Sequence, residues 1–340
     1  MALTQRPWSA NCYALSKVWF RCFSIDLRLL GVSSINSKVK SWIYADQLLK
    51  PEEMILFRPA NFGGLGLLNV EIRAKACLIK SFMETAANPN FQENIYHAAL
   101  FKYHVLEDRS LPDPGMPPYY PATFFNTIQT VSQSTPLNIM HMSLKQWYRV
   151  LLEEKVTMRE VDNTMEFIPC RVELQHPNND WEVTWRRSRM SGLGSELSSF
   201  LFRILHQLLP TKERQHRVHP ATASTCRLCQ LNATEDLLHS FFHCPFNYDF
   251  GMIVVQNLLP YDRTLTPAKL LRLEMNLEQD DMEHPAVWYT AANLFHIWEC
   301  RVSGKRAKLF TIRSEVESRV ALLRETRFRD SAETIMQIMQ

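Results

Sequence analysis

The sequence predicts a mainly α-helical protein: a helical bundle, a proline-rich connection, and a helical C-terminal half with a small metal-binding module. Three observations predict it. Glycine is scarce, at 9 of 340 residues, which disfavours a turn-rich all-β fold. Apolar residues recur at helical spacing in several long segments. The stretch CRLCQLNATEDLLHSFFHC, Cys226 to Cys244, concentrates three cysteines and two histidines, a density that scattered core cysteines do not produce.

The totals set the frame. A chain of 340 residues has room for about two or three domains, and 46% apolar residues allow a substantial core. The net charge of +3 is too weak to argue for nucleic acid by itself, so the distribution of charge must carry that argument. Eight cysteines in a chain this long are not a disulfide framework. No signal-peptide pattern follows Met1, and no apolar run approaches the ~20 residues that span a bilayer. The expectation is an intracellular protein, nuclear or cytoplasmic, away from membranes. There, clustered cysteines bind metal or react more often than they pair.

Taken in order, LSKVWFRCFSIDLRLL places Leu15, Val18, Trp19, Cys22 and Phe23 on one helical face. Ser33, Ser34 or Asn36 can cap a second helix holding Val39, Trp42, Ile43 and Leu48. A turn-rich loop, RPANFGGLGLLN, leads into a third helix with Ile72, Ala76, Ile79 and Met83 in register. Five prolines in LPDPGMPPYYPATFF, Leu111 to Phe125, block helix and ladder hydrogen bonds alike and predict a linker or extended segment. MSLKQWYRVLLEEKV reads as helix, EFIPCRVELQ as a short strand pair, and LGSELSSFLFRILHQLL as an amphipathic helix. Past Pro245 the chain is helical again, with an acidic stretch at Glu274, Glu278, Asp280, Asp281 and Glu283. The segment 301–329 is basic, through Arg301, Lys305, Arg306, Lys308, Arg313, Arg319, Arg324, Arg327 and Arg329. The linear divisions that result are 1–105, 106–170, 171–250 and 251–340.

The cluster has the spacing Cys226-x2-Cys229-x9-His239-x4-Cys244. A CxxC turn offers two thiolates to one ion, and a helix ending near Pro245 could aim His239 and Cys244 at the same point. His243, one turn on, is the alternative to His239. Four nitrogen and sulfur ligands in tetrahedral array suit Zn2+, and with every position filled by protein the ion is structural. Leu237, Leu238, Phe241 and Phe242 read as core, as do the scattered Cys12, Cys22, Cys77, Cys170 and Cys300.

The segment LLPTKERQHRVHPATASTCRLCQLNATEDLLHSFFHCPF resembles the zinc-binding module near the C-terminus of reverse transcriptases from LINE-type, non-LTR retrotransposons. It shares the phrase LPT with a following arginine, the CxxC, and the acidic lead into H-x4-C; the arginine, Arg214, falls one position late. Upstream, INSKVKSWIYADQLLKPEEMILFRPANFGGLGLLNVEIRAKA resembles the thumb region of the same proteins. The resemblance implies a thumb-like helical region over 1–105 and a zinc module over 171–250.

Polymerase chemistry needs paired aspartates in a hairpin to hold two metal ions. Tyr44-Ala45-Asp46 is followed by Gln47, and Asp280-Asp281 stands in an acidic polar run with no apolar strand. The palm is expected to be missing, and the chain not to be an enzyme.

In that family the thumb grips a template duplex and the zinc region engages nucleic acid. Here Arg186, Arg187, Arg189, Lys212, Arg214, Arg217 and Arg227, with Trp181 and Trp185, are candidates for phosphate pairing and base stacking. The expected function is RNA or DNA binding without catalysis. The alternative is a protein-interaction surface, for which the basic C-terminal helix is the candidate, or an inert remnant.

Overall fold

The computed structural model describes residues 3–15, 32–44, 51–87, 93–108, 110, 113–115, 120, 122–134, 138–155, 158–161, 164–167, 170–229, 231–277, 284–306, 309–324 and 328–339. Two compact units are built from interleaved segments. One takes 1–6, 46–66 and 169–340; the other takes 7–45 and 67–168. The stretch read as a single helical region at the N-terminus thus contributes to both.

In the second unit the Val70–Ala87 helix is the axis. Asn69 starts it: its side-chain oxygen accepts from the Ile72 amide at 3.2 Å, satisfying one of the free N–H groups of the first turn. Val70, Ile72, Ala74, Ala76, Cys77, Ile79, Phe82 and Met83 are all buried, so the helix is covered on most of its circumference. Val32–Tyr44, Glu93–His104 and Leu144–Lys155 pack around it. Leu15, Val70, Ala74 and Cys77 form one apolar cluster, backed by Ile35, Val39 and Leu144. A second cluster joins Phe82, Tyr120, Phe124 and Phe125, mostly edge to face at 5.2–6.0 Å between centroids.

Several expectations need correction here. The helix read at Val39 begins at Val32, ahead of its expected caps, and Trp42 is exposed on it while Ile43 is buried. The proline-rich segment is not extended throughout: a helix, Ala122–Ser134, starts directly after Pro121, at the first position where no proline remains to break it. The strand expected in EFIPCRVELQ is Thr164–Phe167, and its antiparallel partner is the preceding Met158–Val161; RVELQ is instead a short helix, Arg171–Gln175. Val18, Trp19, Cys22, Phe23, Leu48 and Asp280-Asp281 lie outside the described residues.

The first unit is organised by Glu173. Its carboxylate accepts from Arg58 Nη1 and Nη2 at 2.9 and 2.8 Å, from Trp185 Nε1 at 2.8 Å, and from the Cys170 amide at 2.6 Å. Four donors satisfy a charge that burial would otherwise make costly. Gly63 and Gly64 of the Arg58–Gly66 loop serve close packing. Gly63, at φ +80°, lies against the Trp185 ring, where a side chain would fit neither the backbone nor the space. The His206 ring stacks on the other side of this assembly, 4.9 Å from Trp185, with Nε2 donating to the Gly63 carbonyl at 2.7 Å.

The long Pro285–Val302 helix is the second organiser of this unit. Proline at its first turn presets the backbone and His284 caps it. Gly194–Leu205, Tyr248–Leu258, Leu309–Arg324 and Arg329–Ile338 pack on it. The basic 301–329 segment is therefore not one exposed helix. Arg301 is buried at the end of the long helix, Arg313 and Arg329 pair with Glu317 and Glu333 one turn on, and Arg319 reaches Glu196 and Glu315. Of the other cysteines, Cys77 and Cys170 are buried as expected; Cys12 is exposed and Cys300 half-buried.

Burial holds the His206 pKa down at about 4. The unfolded chain therefore takes up a proton below pH ~6.5 that the folded chain refuses, and stability falls as pH drops from ~6.5 towards 4. Urea titrations across that window should show a loss on the order of 3 kcal/mol, and His206→Gln should flatten this part of the slope.

Candidate metal centre

The cluster is assembled by two local devices. The first is a knuckle. Thr225 and Thr234 form an isolated antiparallel bridge, the Cys226 amide donates to the Ala233 carbonyl at 2.9 Å, and the Glu235 amide to the Ser224 carbonyl at 2.9 Å. This closes a loop with Cys226 and Cys229 on it. The Leu228 amide points at the Cys226 sulfur, 3.4 Å away, and favours its thiolate.

The second device is a π-helical turn, His239–His243. Its ring closes with the Cys244 amide donating to the His239 carbonyl at 2.8 Å, an i→i+5 bond. In an ordinary α-helix residues five apart diverge; the wider turn brings His239 and Cys244 onto one side. Asp236 initiates it, its carboxylate accepting from the His239 amide at 2.6 Å. Gly251 on the Tyr248–Leu258 helix lets that helix approach the Phe241 carbonyl more closely than any side chain would permit. Phe241 and Phe242 are fully buried beneath, as the sequence indicated.

The four ligand atoms of Cys226, Cys229, His239 and Cys244 all lie within 4.8 Å of one another. Cys226 Sγ is 3.8 Å from Cys244 Sγ, and Cys229 Sγ is 3.4 Å from His239 Nε2. Ligands held at ~2.3 Å for sulfur and ~2.0 Å for nitrogen about a tetrahedral centre are themselves about 3.8 and 3.5 Å apart. The residues therefore fit one divalent ion, and three sulfurs with one imidazole suit zinc. His243 is exposed, so the choice between the two histidines falls on His239. Burial, then Arg301, lower the His239 pKa and favour the neutral imidazole that a ligand requires.

One contact was not foreseen. Arg301, from the far end of the long helix, places Nη2 3.1 Å from Cys226 Sγ and 2.9 Å from a Glu235 carboxylate oxygen. Burial pulls the Arg301 pKa down, but Glu235 and the thiols of Cys244 and Cys226 outweigh it and hold it above arginine's ordinary value. The Cys226 thiol is correspondingly acidified: the Leu228 amide and Arg301 overcome the effect of burial. Only the ligand spacing was visible locally; Arg301 lies 75 positions from Cys226.

The expected nucleic-acid residues separate into two groups. Trp185 is buried at 2% exposure, stacked between Trp181 and His206, and is not available to a base. Trp181 donates its indole N–H to the His176 carbonyl at 2.9 Å. Arg187 holds the carbonyls of Leu273 and Met275. Arg189 donates to the Gly64 carbonyl at 2.7 Å and lies over Phe202, and burial lowers its pKa to about 10. These four are structural: Trp181 and Trp185 share one face of the Trp181–Arg187 helix, and the two arginines are held by backbone carbonyls. Arg186 is half-buried, and its Nε has no partner among the described residues.

Of the remainder, Arg214 and Arg217 line a cleft of about 330 Å³. Arg214 and Arg217 lie on one wall, on the Lys212–Val218 helix; Asp236, Leu237 and Leu238, the lead into the π turn, form another. Among the described residues the Arg214 guanidinium makes no hydrogen bond and no ion pair. Its pKa is lowered by burial, then by Arg217 and Arg171 nearby. Arg171, which the sequence reading did not single out, lines an adjoining hollow that also contains Arg214. Arg217 pairs with Glu213, Lys212 bonds Gln215, and Arg227 is exposed within the CxxC.

Residues 143–250 match the family described as zinc-binding in reverse transcriptase, and the four ligands fall inside the match. This supports a reverse-transcriptase-related origin for that region, just under a third of the chain. No curated protein matches the chain. Among the described residues, no helix is long and apolar enough to cross a membrane.

Native mass spectrometry should find one zinc per chain, removed by a strong chelator. On removal, hydrogen exchange at the Cys226 and Cys244 amides should accelerate, because both bonds exist only while the knuckle and the π turn are pinned together. Cys229→Ser should bind the ion more weakly and reproduce that loss of protection at ordinary zinc concentrations.

Proposed function

We propose that this chain is a non-catalytic nucleic-acid-binding piece derived from a LINE-type reverse transcriptase, with zinc as a structural ion. The observation that carries the reading is the cleft. One of its walls is the segment that leads into the metal ligands, and another presents Arg214, whose Nε has no hydrogen-bond partner among the described residues. The Glu213 amide donates to the Glu235 carbonyl at 3.1 Å, so the arginine helix is tied directly to the ligand loop. Gathered like charges cost energy in the free protein and lose that cost when an anion arrives, which is what a phosphate site requires. Half-buried Leu237 and Leu238 line the cleft and offer an apolar surface to a base or sugar.

The zinc supplies no chemistry in this reading. With four protein ligands there is no open position for water, and the ion acts by fixing the Asp236–Leu238 wall. The thumb-like character of the N-terminal region, grounded on the INSKVKSWIYADQLL…GGLGL likeness, belongs to the same proposal. So does the missing palm, grounded on Gln47 in place of a second aspartate. RNA and DNA share the phosphate chemistry, and the assay separates them.

The test is fluorescence anisotropy with single-stranded RNA and DNA oligonucleotides over a salt series. Binding should weaken steeply with salt, by roughly 0.7 log units per log unit of salt for each phosphate engaged on a single strand. Arg214→Glu combined with Arg217→Glu should weaken binding at least ~10-fold and lower that slope by about one to two. Arg187→Glu is the wrong probe, since it breaks two carbonyl contacts. Salt-insensitive or absent binding by the zinc-loaded chain would instead support a protein-interaction or inert remnant.

A further inference from the structure

We propose that Arg301 is the electrostatic partner of the metal centre: delivered by the Pro285–Val302 helix, its guanidinium offsets the excess charge of three thiolates around a divalent ion and so governs how tightly that ion is held. The inference stands apart from any nucleic-acid contact.

The charge arithmetic requires such a partner. Three thiolates and a neutral imidazole around a divalent ion leave one net negative charge. Cys226, His239 and Cys244 are buried, so little water is at hand to screen it. The cation that meets it is itself almost fully buried, and Nη2 is shared between the Cys226 sulfur and Glu235. A guanidinium in that position is tolerated only where negative charge awaits it. Its other terminal nitrogen, Nη1, has no hydrogen-bond partner among the described residues, so the metal centre and Glu235 account for its contacts.

Glu235 makes the arrangement specific. It is anchored in the knuckle by its amide, and its buried carboxylate accepts from the same Arg301 Nη2 that meets the sulfur. One nitrogen makes both contacts, so a lysine ammonium can bring the same charge to the same place. The arrangement also has a range that the family match lacks. The match ends at residue 250, whereas the metal centre draws a charge from residue 301. The ion and the long helix therefore stabilise one another: a bound ion favours docking of that helix, and docking retains the ion.

The test uses the full chain. Arg301→Met and Arg301→Gln are titrated with zinc against a chromophoric chelator, and the cobalt-loaded proteins are read by their sulfur-to-metal charge-transfer band. Zinc affinity should fall by about tenfold or more, the range typical of partners behind metal ligands. The band should move to lower energy, because the sulfur lone pairs lose a positive neighbour. Arg301→Lys should hold zinc within about threefold of the unmodified chain. Val320→Ala, which loosens the Leu309–Arg324 helix packed on the same long helix, should leave affinity and band unchanged. Either of two results overturns the proposal: a folded Arg301 variant with unaltered affinity and band, or a Val320→Ala variant that shows both changes. Where neither uncharged variant folds, the lysine variant decides, and a tenfold loss in it also overturns the proposal.

Discussion

Three sulfurs and an imidazole nitrogen confined within 4.8 Å are the constraint from which the C-terminal half takes its order. Thiolates at such separations repel one another and hold together only around a cation. Satisfying that demand requires an unusual backbone: a bridge that turns the chain at Asn232, which sits at φ 49°, and a π turn where an α-helix would misalign its ligands. Neither is favourable alone. Each is what remains once the four side chains must meet, and the neighbouring elements are placed against them. Phe241 and Phe242 fill the space below, the Tyr248–Leu258 helix closes on the π turn at a glycine, and the Lys212–Val218 helix hangs from Glu235.

The metal ligands were legible in the sequence because a knuckle and one turn of helix are local structures, read within nineteen residues. The choice between His239 and His243 was not, since α-helical reasoning puts both within reach and only the π turn separates them. Helices with a clear apolar period, Val70–Ala87 and Leu144–Lys155, were also visible. The start at Ala122 was hidden by prolines that end immediately before it. The GGLGL phrase marked a turn-rich loop, but the ring that Gly63 packs on, Trp185, could not be named from sequence.

The tryptophan–arginine stretch misled for a physical reason. Trp181 and Trp185 are four apart on a short helix, a spacing that serves equally for a stacking platform and for an inward stripe. What decides between them is Glu173, which accepts a hydrogen bond from the Trp185 indole N–H inside the core. The arginines followed the tryptophans in: Arg187 and Arg189 spend their donors on backbone carbonyls. Arg214 has no such duty, and it lines the cleft that also takes in the segment leading to the metal ligands.

Arg58 and Glu173 are joined in the core across 115 positions of chain. A ribosome makes about 5–20 residues per second, so the Arg58–Gly66 loop waits several seconds for its carboxylate, its tryptophan and its histidine to be synthesised. During that interval Leu56 and Phe57, ultimately buried, have no core to enter. Meanwhile most of what becomes the other unit, 67–168, has already emerged. The first unit thus completes its core only after most of the other has been made, and a newborn chain halted before residue 173 would present that loop to chaperones.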